Sequence, residues 1–339
     1  MFTSKWKPLF FVVFLSFPLL ILLATFAFGQ GAADGLLQVE VDGKHGFISL
    51  HGEMVIPANF EFAWGFSEGF APAWKDGKAG YINDSGKFVI RPQFQYARSF
   101  VNGLAEVQVG EKWGYVDKNG DLVIRARYIQ TRAFSNGLAA VQLDDGLWGY
   151  VDKDGKERIS PQFTLAWSFG EQVAAAYHGD KCGFIDITGV TVVPFQFSEC
   201  KGMKDGIGAI RVGNQWAFIS RTSDFVITPQ FEDAELFFEG LAAVEQDGKW
   251  GFIDRKGSFV IPPQFDYSRS TPTITEFSEG LAGVTKDGNF GYINKSGAYV
   301  IAPGFKKGGP FRKGVAQVCD SKLCGYIDKQ GNRIWPNGS

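Results

Sequence analysis

A short motif, typified by Trp-Gly-Tyr, recurs nine times, with its central residue at Gly46, Gly80, Gly114, Gly149, Gly183, Ala217, Gly251, Gly291 and Gly325. Successive copies are 34, 34, 35, 34, 34, 34, 40 and 34 residues apart, so one supersecondary unit is repeated along almost the whole chain. A repeat of this kind specifies a scaffold, and scaffolds host many unrelated activities.

The clearest copy shows what the unit is. Residues 240–246 read Gly-Leu-Ala-Ala-Val-Glu-Gln, Asp247-Gly248 follows, residues 249–254 surround the Trp-Gly, and residues 259–262 end in Val-Ile-Pro. Each piece has strand length. Asp-Gly is favoured in two-residue hairpins because both central positions need positive φ. At the next junction Asp254 can bond the backbone two residues on, and Gly257 suits a left-handed turn. Three antiparallel strands are therefore predicted. A returning segment bounded by Phe231 and Phe237 follows, either a fourth, outer strand or a crossover.

Two apolar ladders run through the repeats. One comprises Phe60, Phe94, Tyr128, Phe163, Phe197, Phe231, Phe265 and Phe305; the other Phe66, Phe100, Phe134, Phe169, Met203, Phe237, Phe277 and Phe311. A single three-stranded unit cannot cover its own apolar face, so stability is expected from contacts between neighbouring copies. The composition agrees: 33 Phe suit pleated sheets and 43 Gly suit turns. The Gly of the motif, kept in eight of nine copies, points to a close backbone approach. The preceding slot, filled by Trp113, Trp148, Trp216 and Trp250 but also by His45, Ala79, Cys182, Phe290 and Cys324, reads as a packing position.

These motifs resemble the WG, or KWG, repeat family on residues 239–241, 247–254 and 260–265, and the match recurs from Gly35 to Trp335. The resemblance implies a bacterial-type all-β repeat protein with no general activity to carry over. Departures gather in the fifth unit, where Gln172 replaces the strand-leading Gly and Phe195 replaces a Pro. The predicted fold is all-β, with nine antiparallel meander units in a propeller-like ring; an open β-superhelix is the alternative. The small-residue strand suits a crowded position in a ring. The last unit ends at residues 334–336 without a returning segment, which favours the open form.

Lys5 and Lys7 precede an apolar run over residues 9–28, and Ala27-Phe28-Gly29 has signal-peptidase spacing. Residues 1–29 read as a secretory signal, with an uncleaved membrane tether through residues 9–28 as the alternative. Residues 30–339 form the single repeat domain, which either reading places outside the cytoplasm: periplasmic, secreted or at the cell surface. The formal charge of −2 lacks the basic footprint of a nucleic-acid binder.

Aligned with the clearest copy, Cys319 and Cys324 stand opposite each other across a hairpin, which predicts a disulfide. Cys182 takes a Trp slot and Cys200 an Ala slot, making a second bridge possible. The three histidines have no Cys at zinc-ligand spacing. Asp117, Asp152, Asp186, Asp254 and Asp328 each open a turn that ends in Gly, and turn formation is their expected role. No catalytic residues, metal ligands or cofactor site are assigned.

One slot, five residues before the strand-leading Gly, reads Trp64, Arg98, Arg132, Trp167 and Lys201, then Glu235, Thr275 and Gly309. Read as solvent-facing, its first five members offer rings or cations to a protein or an anionic envelope glycan. The six-residue excess in residues 268–275 is a surface insertion. The expected function is an exported, non-enzymatic binding scaffold; a carbohydrate-active enzyme with carboxylates on the repeat face and a purely structural surface protein are the alternatives.

Overall fold

The structure, a computed structural model, describes residues 35–266, 274–321 and 323–336. The predicted signal or tether and most of the insertion lie outside the described residues. All described regular structure is strand, arranged as nine small antiparallel sheets in a ring, the architecture of a nine-bladed β-propeller.

The third sheet shows the pattern: a short lead strand Tyr96–Ala97, a hairpin of Ala105–Val109 and Lys112–Val116, and a third strand Leu122–Tyr128. The returning segment is thus a strand, and it pairs with the sheet that follows: Tyr96 faces Gln108 and Ala97 faces Val107. The first and eighth sheets have three strands among the described residues.

Turn chemistry sets the hairpins. Asp76 and Gly77 adopt φ of 52° and 69°, and Asp247 and Gly248 adopt 53° and 68°, both left-handed as a two-residue hairpin requires. In the fifth unit Gln172 keeps a φ of 66°, so the position holds its left-handed turn without glycine. Phe195 packs beside Phe163 and His178, with both ring centroids 6.0 Å away.

The motif glycine is explained by a bulge. Trp113 pairs with Tyr128 and Tyr115 with Ile124, so the third strand carries extra residues opposite Gly114. A Cβ on Gly114 would lie 2.5 Å from the Ile124 carbonyl oxygen. The sixth sheet keeps the same bulged register around Ala217.

The core lies between sheets. Both predicted ladders are buried, apart from a half-buried Phe305. Tyrosines that follow the motif glycine pack edge-on or tilted against the second ladder of the next sheet: Tyr81 on Phe100, Tyr115 on Phe134, Tyr150 on Phe169 and Tyr292 on Phe311, with centroids 4.7–4.9 Å apart. Each buried ring contributes roughly 1.5–3 kcal/mol, and neither sheet of a pair has that contribution alone. The ring closes by the same means, with Leu37, Val39 and Ile48 of the first sheet packed against Val315 and Tyr326 of the last.

Candidate functional site

Trp64, Arg98, Arg132 and Trp167 each follow a lead strand and Lys201 lies within its own, Glu199–Lys204; the backbone of the middle three is clamped on both sides. The amides of Arg98, Arg132 and Trp167 donate to Glu106, Ala140 and Ala175 of the adjacent strand, at 2.9–3.0 Å. Their carbonyls accept from Tyr81, Tyr115 and Tyr150 of the preceding sheet, at 2.8–2.9 Å. Burial, countered partly by Arg132 in one case, pushes the Tyr81, Tyr115 and Tyr150 hydroxyls up, so they remain donors.

With the backbone held alike, side chains decide what each sheet presents. Aromatic rings form a belt from His45 through Phe62, Trp64, Trp74 and Tyr96 to Trp113, in edge contacts of 4.8–5.7 Å. Arg98 continues it, with its guanidinium 4.5 Å from the centre of Trp113. Arg132 lies between two indoles, 5.1 Å from Trp148 and 4.1 Å from Trp167, and Trp167 is 43% exposed. Lys201 sits 4.8 Å from Trp216.

The cations differ in what neutralises them. Arg98 pairs at 2.7 Å with Glu106, a buried carboxylate that also accepts from Thr131 at 2.9 Å. Lys201 pairs with Glu235 at 2.7 Å and Asp233 at 3.2 Å; burial lowers its pKa, but those two carboxylates outweigh it and hold the ammonium above its usual range. Arg132 donates instead to the Ala166 carbonyl at 2.7 Å, and no ion pair among the described residues involves it. Burial pulls its pKa down, opposed by Glu106.

The slot is therefore less open than the sequence suggests: Trp64 and Lys201 are half-buried, and Thr275 and Gly309 are buried. Sequence reasoning missed Phe62, Trp74 and Tyr96, which join the slot residues into one belt, and Glu106, which neutralises Arg98. Their signal was a ring or acid facing the slot from a neighbouring strand.

The cysteines pair as expected. Cys319 and Cys324 are opposite across their hairpin and bonded, and Cys182 bonds Cys200, tying the fifth sheet to the lead strand of the sixth. The turn aspartates cap their own loops: Asp117 accepts from the amides of Asn119 and Asp121 at 2.9 Å, and Asp254 from Lys256 and Ser258 at 2.8 and 3.0 Å.

A second set of contacts was not read from sequence. Glu68 reaches into the next sheet to the Gly103 amide at 3.1 Å and to Lys118 at 3.1 Å. The buckle recurs as Glu171–Arg221, Asp205–Arg255, Glu239–Lys295 and Glu279–Lys329. A carboxylate and a cation 50 or 56 residues apart were its signal.

The WG-containing repeat matches this chain in eight consecutive stretches, residues 46–78, 80–113, 113–146, 148–182, 183–216, 216–250, 250–290 and 290–324. The chain belongs to the WG-repeat family. Among solved structures, a eukaryotic initiation factor is similar at 11% identity, covering 87% of this WG-repeat chain and 88% of its own, with a TM-score of 0.58. The computationally designed Ika8 protein is 12% identical, with coverage of 78% and 94% and a TM-score of 0.53. BamB from Moraxella catarrhalis is 12% identical, with coverage of 87% and 98% and a TM-score of 0.47. At these identities the first two likenesses speak to fold alone. No curated protein matches the sequence.

Proposed function

We propose that this WG-repeat protein is an exported, non-enzymatic scaffold that binds proteins or cell-envelope polymers on its aromatic and cationic belt. The observation that carries the reading is Trp167: a large ring, 43% exposed, braced by a guanidinium 4.1 Å away that has no carboxylate partner among the described residues. Exposed tryptophan beside arginine is the composition of a recognition hot spot. The repeated acids support a binding role over a catalytic one, because the turn aspartates cap loops and the buckle carboxylates hold neighbouring sheets together. Two disulfides support an oxidising compartment outside the cytoplasm.

The test is a glycan array and an envelope-protein pulldown with wild type and the triple variant Trp64→Ala, Arg132→Ala, Trp167→Ala. Loss of retention by a variant that still unfolds cooperatively supports the belt. Unchanged retention dismisses it, and turnover of a bound glycan replaces the scaffold reading with an enzymatic one.

A further inference from the structure

We infer that the junction of the third and fourth sheets is a receptor for a glutamate side chain of a partner peptide. The inference is independent of the belt and rests on a comparison among the molecule's own junctions. At five of them a side chain in the left-handed turn before the strand-leading residue supplies a carboxylate to a cation of the next sheet. Four of those carboxylates, on Glu68, Glu171, Glu239 and Glu279, also accept from the turn amides there, as at Gly103, Gly206, Gly280 and Gly314, at 2.9–3.1 Å.

Asn102 stands at this position in the third sheet, with the same left-handed φ of 55°. Its amide turns away and donates to the Phe134 carbonyl at 2.8 Å. Lys153 occupies the cation position and reaches the Asn102 carbonyl at 2.6 Å, as Lys118 reaches the Glu68 carbonyl, but it has no ion-pair partner among the described residues. The Gly137 amide, equivalent to the Gly103 amide that Glu68 caps, meets no acceptor among the described residues. An open groove of about 390 Å³ lies here, lined by Asn102, Gly103, Leu104, Val123, Lys153 and Asp154.

A cation that elsewhere shares a glutamyl carboxylate with a turn amide thus faces a groove with two apolar walls. A glutamate entering from outside can place its carboxylate on Lys153 and its methylenes on Leu104 and Val123. Charge-assisted hydrogen bonds of this kind are stronger than neutral ones. Asp154 at the rim opposes a second negative charge, so the site selects one glutamate with neutral or basic neighbours. The fourth and fifth sheets meet differently, with Asn136 opposite Ile187, and offer no cation.

The test is titration of the isotopically labelled protein with acetyl-Ala-Glu-Ala-amide, following the Asn136 and Gly137 amide shifts at constant ionic strength. The expected result is saturable binding with a Kd on the order of 1 mM, weakened at least about tenfold by Lys153→Met or by a Gln peptide. Asn102→Glu should abolish binding and raise the melting temperature, because the internal carboxylate then completes the buckle. No saturable shift in wild type, undiminished binding by Asn102→Glu, or tighter binding of tri-glutamate or a galacturonate oligomer would overturn the assignment.

Discussion

The hydroxyl of Tyr326 donates a 2.9 Å hydrogen bond to the carbonyl of Gln38, 288 residues earlier in the chain. The equivalent carbonyl in the second sheet, on Pro72, accepts from the amide of Trp64, the residue after the lead strand, at 2.9 Å. The first sheet has no lead strand among the described residues, and the last tyrosine satisfies that acceptor instead. The ring is thus closed by a side chain where the second sheet uses a backbone amide.

Tyr326→Ala should therefore lower stability by about 3–5 kcal/mol, the range for losing a buried aromatic ring, as read by urea unfolding. Tyr326→Phe should cost only about 1 kcal/mol, the value of one hydrogen bond. An alanine variant within about 0.5 kcal/mol of wild type, the range of a neutral surface change, would mean that the first and last sheets do not share a core.

Gly114→Val should destabilise the third sheet, because the added Cβ starts 2.5 Å from the Ile124 carbonyl. Overpacking costs about 1–3 kcal/mol, measurable by thermal unfolding. Ala217 shows that one sheet accommodates a methyl at this position, so the branched substitution is the more decisive test.

The Cys182–Cys200 bond closes a span of 18 residues between two sheets. Chain-entropy arithmetic assigns it about 3 kcal/mol. Cys200→Ala should lower the unfolding free energy by that amount in non-reducing buffer, with a matching fall in midpoint, and reductant should then have little further effect through this pair. An unchanged midpoint would show that packing alone holds the fifth and sixth sheets.

The buckles predict a pH response. At Glu171, Glu239 and Glu279 burial pushes the carboxyl up, but neighbouring backbone amides together with Arg221, Lys295 or Lys329 outweigh it, holding each below its ordinary value of 4.5. A carboxyl depressed on folding contributes stability that is present above its unfolded pKa and lost as pH falls through the folded one. Urea midpoints should fall on acidification below about pH 4.5, and Glu171→Gln, Glu239→Gln and Glu279→Gln together should flatten that decline. An identical slope in the triple variant would remove the buckles from the account.

Much of this architecture was legible because it is local and periodic. Asp-Gly pairs mark hairpins through φ alone, Asp254 caps a turn within four residues of itself, and Cys319 and Cys324 are paired by hairpin register. The slot from Trp64 to Lys201 was found because it breaks consensus. Its character was not: whether a cation there is free depends on Glu106, Asp233 and Glu235, which no motif around the slot identifies.

By itself, the sequence determined the unit, its strands, its turn residues and the two apolar ladders, since hydrophobic periodicity and backbone conformation act within a few tens of residues. Only tertiary structure decided that nine units close into a ring, that each lead segment pairs with the following sheet, and that Arg132 lacks a carboxylate while Arg98 and Lys201 have theirs. Those outcomes depend on contacts between successive sheets, and at the closure on contacts across the whole chain. There, burial and charge pairing are set by how the sheets meet rather than by what any one of them contains.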